Sequence, residues 1–137
     1  MTTLSTYLTF GGNCKEAMEF YHSCLGGKIN IQLVKDSPMA EQLKGMEDKV
    51  MHSVLERDGL MLMASDMMGE GKAESGNMIS LCISGDEKEV REMFEKMSKG
   101  GKVGQSLQEV FFGLYGDMVD KFGIRWMFQA DTKEHHA

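Results

Sequence analysis

Asn13-Cys14-Lys15-Glu16 and Asp86-Glu87-Lys88-Glu89 open two stretches that read alike, and their likeness decides the fold. Each starts with a short polar side chain suited to capping a helix, and a glutamate follows three residues later that can reach back to it. Apolar residues then recur at i, i+3, i+4 and i+7. They are Ala17, Phe20, Tyr21 and Cys24 in the first stretch and Val90, Met93, Phe94 and Met97 in the second, the spacing of one face of a helix. Both stretches close on Gly-Gly-Lys. In Gly26-Gly27-Lys28-Ile29 and Gly100-Gly101-Lys102-Val103 the glycines supply a helix end and the β-branched residue starts a strand. One module is used twice.

The flanking sequence fits the same plan. Val50 to Glu56 and Leu60 to Ala64 enclose Arg57-Asp58-Gly59, and Asp-Gly between two apolar runs is a strong hairpin signal. In the second half the runs 113–119 and 124–128 enclose Asp120-Lys121-Phe122-Gly123. A strand before each helix, Thr3 to Phe10 and Met78 to Ser84, completes the order βαβββ-βαβββ. The fold class is therefore α+β, with tandem βαβββ modules of about 1–68 and 77–131 in a single domain, joined by a glycine-rich linker at 69–76. Each module is expected to make a curved mixed sheet with its helix on one side, and the two sheets to enclose a cleft. The run Leu60-Met61-Leu62-Met63-Ala64 is apolar throughout, so it is expected to be covered on both faces.

Composition excludes several classes. A chain of 137 residues that is 42% hydrophobic can build one ordinary core. Its net charge is −6 and its fifteen Lys and Arg residues are scattered, so no basic stripe is present to neutralise phosphates and nucleic acid is not an expected partner. The opening Met1-Thr2-Thr3-Leu4 lacks a basic and apolar leader, and no long apolar run occurs; a cytoplasmic protein with no membrane partner is expected. Cys14, Cys24 and Cys82 lie within helix or strand patterns and read as reduced core thiols. The stretch from Lys35 to Asp48 holds the only proline, Pro38, and reads as an excursion or a lid. The fourteen methionines suit a core or a pocket of adaptable shape.

Three segments carry a family resemblance. Tyr7-Leu8-Thr9-Phe10-Gly11-Gly12-Asn13 running on to Ala17, then Val50-Met51-His52, and finally Phe111-Phe112-Gly113-Leu114-Tyr115-Gly116 with Asp120-Lys121-Phe122-Gly123-Ile124-Arg125-Trp126 resemble the PhnB-like branch of the vicinal-oxygen-chelate superfamily. That superfamily includes glyoxalase I, extradiol dioxygenases and bleomycin and fosfomycin resistance proteins. The resemblance covers essentially the whole chain and implies a glyoxalase-like fold. Labels within the branch include a ubiquinone methyltransferase name, but methyl transfer would need a doubly wound sheet with a glycine-rich loop, which this order of elements does not provide.

The resemblance also implies where a metal would be held, since metal-dependent relatives place one ligand on each of four strands. Those places fall here on Ser5, Met63, Asn77 and Met127. None offers an imidazole or a carboxylate to a divalent ion. No metal and no other cofactor is expected.

What polar chemistry remains is small. His52 lies on a strand whose two faces both carry apolar residues, so it is expected to point into enclosed space, as a structural group, a ligand contact or a general base. Strand parity puts Tyr7 on the face of Ser5, and Ser65 and Arg125 on the faces of Met63 and Met127. Tyr7, His52, Ser65 and Arg125 are thus the candidate ligand-binding residues, with no catalytic residue assigned. Phe10-Gly11-Gly12-Asn13 lacks the spacing of a dinucleotide fingerprint, and His135-His136 stands at the tail without a partner ligand. Two functions stay open. One is metal-free binding of a small molecule in the cleft. The other is an enzyme of the lyase, isomerase or dioxygenase type, metal-dependent through other residues or metal-free with His52 as base. Open sheet edges lead to a symmetric homodimer as the expected assembly.

Overall fold

The computed structural model describes residues 1–69 and 71–131; His135-His136 lies outside the described residues. The chain divides into two compact units, the first Met1–Ala73 and the second starting at Glu74. The first unit runs β1 (Thr6–Phe10), α1 (Cys14–Leu25), β2 (Lys28–Leu33), a 3-10 turn (Val34–Asp36), β3 (Val50–Arg57) and β4 (Leu60–Asp66). The second repeats it as β5 (Leu81–Gly85), α2 (Glu87–Met97), β6 (Lys102–Val110), β7 (Gly113–Val119) and β8 (Arg125–Ala130). The sheet orders are β1-β4-β3-β2 and β5-β8-β7-β6, and in each the first strand runs parallel to its neighbour while the other pairs are antiparallel. Among the described residues no helix is long and apolar enough to cross a membrane.

Each sheet packs one face on its own helix. Tyr21, Met18 and Leu25 of α1 are buried with Leu55, Leu62 and Ala64 of the sheet, and burial of each large side chain contributes about 1.5–3 kcal/mol. The stripe on α2 is the expected one: Val90, Met93, Phe94 and Met97 are all buried. On α1 the buried set is Cys14, Ala17, Met18, Tyr21, Cys24 and Leu25, and Phe20 is only half-buried. The stripe has rotated toward Met18, which is flexible enough to fill the space.

The two helices start differently. Asp86 caps α2 as expected, its carboxylate accepting from the Glu89 N–H at 2.9 Å. Asn13 makes no side-chain cap on α1. There the acceptor comes from β4: Oδ1 of buried Asp66 takes the N–H groups of Gly12 (3.0 Å) and Cys14 (2.9 Å), and Oδ2 takes that of Val50 (2.9 Å). A charged acceptor shielded from water outcompetes the neutral amide of Asn13. The second unit has its own buried carboxylate. Asp120 accepts from the N–H of Phe122 (2.8 Å) and Ile124 (3.1 Å) and from the indole of Trp126 (2.7 Å), which gives the closing Asp-Lys-Phe-Gly-Ile-Arg-Trp segment its physical basis. At the other helix ends, Gly27 and Gly101 press so closely on the β-hairpins that an added Cβ would sit 2.6 Å from the carbonyl oxygens of Glu56 and Val119.

Four expectations are corrected. β1 and β5 are shorter than the apolar runs, because their parallel ladders begin at Thr6 and Leu81; Leu4, Met78 and Ile79 are exposed. β4 is not covered on both faces, since Met61 is 44% exposed. Cys82 is not a core thiol but an exposed one. It falls on the helix-free side of β5, whereas Cys14 is buried and burial pushes its thiol up to about 12. His52, lastly, is exposed rather than enclosed. The excursion after β2 folds on itself through turns, with the Val34 and Lys35 N–H groups returning to the carbonyls of Lys49 and Glu47.

Candidate functional site

The helix-free face of the first sheet carries the polar chemistry. Strand alternation sends Ser53 and Leu55 into the core and leaves His52, Val54 and Glu56 on the other side. On the neighbouring strand Lys28, Asn30 and Gln32 are exposed on that same side, with Lys28 opposite Glu56, Asn30 opposite Val54 and Gln32 opposite His52. Across β4 the row continues from Val54 to Met63 and then to Tyr7 on β1, while Ser65 stands opposite Thr9.

Three of the candidate residues meet here. The Tyr7 hydroxyl donates to Ser65 Oγ at 2.9 Å, and the Tyr7 ring lies 6.4 Å from the His52 ring at an interplanar angle of 32°. His52 then forms the wall of an open hollow of about 560 Å³, together with Lys28, Asn30, Gln32, Asp36 and Glu56. The two positive and negative side chains of opposite sign at one end, Lys28 and Glu56, and the amides of Asn30 and Gln32 along its length offer both donors and acceptors. The excursion contributes Asp36 to this wall.

The polar edge on β2 was not among the expected site residues. Its signal is the alternation Lys28, Asn30, Gln32 against Ile29, Ile31, Leu33, which marks a strand with one face on the core and one face free.

Arg125 belongs to the second unit. It starts β8 on the helix-free face of that sheet, in register with Val119. The same face carries Tyr115, whose hydroxyl donates to Asp117 Oδ2 at 2.9 Å, and Gln129, whose amide donates to Ser84 Oγ at 2.9 Å. Burial, then the hydrogen bond to Asp117 and its charge, raise the Tyr115 phenol above its ordinary range.

The positions that the superfamily uses for metal do not fit one. Met63 lies between Tyr7 and Val54, and Met127 between Cys82 and Asp117. The sheet register also changes the fourth position: Ser5 immediately precedes β1, and its counterpart immediately before β5 is Ser80, not Asn77. Two thioethers and two hydroxyls are poor donors for a hard or borderline divalent ion. Among the described residues no three His, Cys, Asp or Glu side chains converge as a metal group.

A family model described as 3-demethylubiquinone-9 3-methyltransferase matches residues 2–129. The protein YjdN of Escherichia coli (strain K12) is 28% identical over 138 residues, which span 93% of this chain and 94% of YjdN. The crystal structure of PA1353 from Pseudomonas aeruginosa matches with a TM-score of 0.85 at 31% identity, over 96% of this chain and 98% of that one. The PhnB protein from Bacillus cereus matches with a TM-score of 0.76 at 24% identity, over 94% and 99% of the two chains.

Proposed function

Because the chain belongs to the family described as 3-demethylubiquinone-9 3-methyltransferase, the PhnB-like branch of the glyoxalase/bleomycin resistance/dioxygenase superfamily, we propose that it binds a small organic molecule, without a metal ion, on the helix-free face of its first sheet. The observation that carries this reading is the Tyr7–Ser65 hydrogen bond set beside His52 at the wall of the polar hollow. The hydrogen bond fixes the phenol, and the imidazole stays open to a ligand. Methyl transfer, which the family description names, is no part of the proposal: two separate mixed four-stranded sheets lack the doubly wound parallel sheet and glycine-rich loop on which such a cofactor is usually carried.

A thermal-shift screen of small polar molecules against the wild-type chain tests the reading, with His52→Ala as the discriminating variant. His52 is exposed, so its removal should move the melting temperature by no more than a few degrees, the shift of a change below about 1 kcal/mol. Affinity for the screen's best compound should fall by about tenfold or more, the effect of roughly 1.4 kcal/mol of lost contact. A large fall in melting temperature with affinity unchanged would show that His52 is a structural group. A second reading, acid–base chemistry by His52, draws on the same open imidazole beside the Tyr7 phenol; it requires turnover of a bound compound that disappears in His52→Ala.

The assembly belongs to the same proposal. Among the described residues each sheet ends on strands with one unpaired edge, β1 and β2 in the first and β5 and β6 in the second, and a second copy of the chain is proposed to cover such an edge across a two-fold axis. Light scattering at micromolar concentration should give twice the mass of one chain. A single-chain mass would remove the homodimer. The exposed position of Cys82 suits a reducing compartment such as the cytoplasm.

A further inference from the structure

We propose that Arg125 anchors a second ligand site, on the helix-free face of the second sheet, that takes a carboxylate or phosphate oxyanion attached to an apolar body. This inference does not rest on the reading given for the first sheet. Both neighbours of Arg125 are tied to one carboxylate: Asp120 accepts from the backbone N–H of Ile124 at 3.1 Å and from the side-chain indole of Trp126 at 2.7 Å. Trp126 is 2% exposed on the helix side, so strand alternation sends Arg125 to the opposite face. There its Nε is buried and meets no hydrogen-bond acceptor. Among the described residues its guanidinium takes part in no ion pair.

The other carboxylate on this face does not serve it. Asp117 is already engaged, Oδ1 by the Gln105 N–H at 3.0 Å and Oδ2 by the Tyr115 hydroxyl at 2.9 Å. A buried Nε–H with no acceptor, on a guanidinium that is otherwise only half-buried, is an unfavourable arrangement. The planar fork of a guanidinium matches two oxygens of a carboxylate or phosphate group, and such an anion would accept from Nε and a terminal N–H together. The flanking positions select the remainder of the ligand: Val119 is the cross-strand partner of Arg125, and Met127 is the next residue on its face. Both are apolar. The chain's net charge of −6 opposes general anion uptake, so a saturable response at one arginine is diagnostic.

The chain has three arginines, Arg57, Arg91 and Arg125, and their Nε–H resonances can be followed separately in ¹H–¹⁵N spectra of the full chain. Benzoate is titrated in one series and inorganic phosphate in another, both at constant ionic strength. The expected result is that the Arg125 resonance moves and saturates, while Arg91, whose Nε already donates to Glu87 at 3.1 Å, and Arg57 stay in place. Saturation at lower benzoate than phosphate supports the apolar body; saturation by phosphate alone supports the oxyanion but overturns the apolar body. In Arg125→Lys, which keeps the charge and loses the fork, calorimetric binding should weaken by about tenfold or more. Unsaturable movement, equal movement of all three arginines, or calorimetric binding unchanged in Arg125→Lys would overturn the site. The wild-type titration decides the question even if that variant fails to fold.

Discussion

Replacing Asp66 with alanine should cost the fold about 3–5 kcal/mol, a large part of the roughly 5–15 kcal/mol by which a domain is ordinarily stable. Three backbone N–H groups end on this one side chain, and two of them belong to Cys14 and Val50, which are 0% exposed. Each buried donor left without an acceptor costs about 1–3 kcal/mol. Water entering at Gly12, which is exposed, recovers part of the loss there. Urea unfolding followed by circular dichroism measures the difference directly. Asp66→Asn should cost less, since its single carbonyl oxygen can still take the two bonds now made by Oδ1, and its amide then faces the Val50 N–H. An Asp66→Ala loss below about 1 kcal/mol would mean that the carboxylate is not what holds these groups.

Gly27→Ala should be the next most damaging change, and Gly101→Ala should be a measured step milder. In both, a new Cβ would stand 2.6 Å from a carbonyl oxygen of the adjoining hairpin strand, Glu56 in the first unit and Val119 in the second. Backbone cannot yield as a flexible side-chain tip does, so the crowding costs about 1–3 kcal/mol. Gly27 also has φ +94°, and the left-handed region adds roughly 1–2 kcal/mol for any residue with a Cβ. Gly101 carries no such penalty. The expected losses are therefore about 2–5 kcal/mol for Gly27→Ala and about 1–3 kcal/mol for Gly101→Ala, read from denaturant midpoints at unchanged slope. Equal losses would mean that the backbone conformation at Gly27 contributes nothing.

The duplication, the helix stripes and the hairpins were legible because their signals are local. The cap of α2 is an example, with Asp86 and the N–H of Glu89 three residues apart. The cap of α1 was not legible, because its acceptor lies in another strand, fifty-two positions from Cys14, and no periodicity points to it. The exposure of His52 was hidden for a related reason. Val50 and Val54 share its parity, so the strand reads as apolar on both faces, yet Val54 is only half-buried and Val50 sits where the register with β2 shifts. Strand parity set Tyr7 and Ser65 on the faces of Ser5 and Met63, and the structure has both near His52, whereas the grouping of Lys28, Asn30 and Gln32 with them depends on which edge β2 occupies, and alternation alone does not give the strand order. The closing Asp-x-Phe-Gly-x-x-Trp segment was recognisable as a pattern before its physics was visible: one carboxylate holds the turn and the indole at once.

The two buried carboxylates also differ in how early each can act while the chain folds. The hydrogen bonds of Asp120 to Phe122, Ile124 and Trp126 span two to six residues, whereas Asp66 must find Gly12, fifty-four residues back. A loop of about ten residues closes in roughly 10–100 ns, and longer closures cost more chain entropy and come later. The β7–β8 hairpin can therefore be locked before the first unit has gathered its strands. Substitutions at Asp120 should slow folding, while those at Asp66 should mainly speed unfolding, which stopped-flow chevrons distinguish. Two halves built on one plan would then be fastened on different schedules, the copy with the short-range clasp ordering first when a complete, denatured chain refolds.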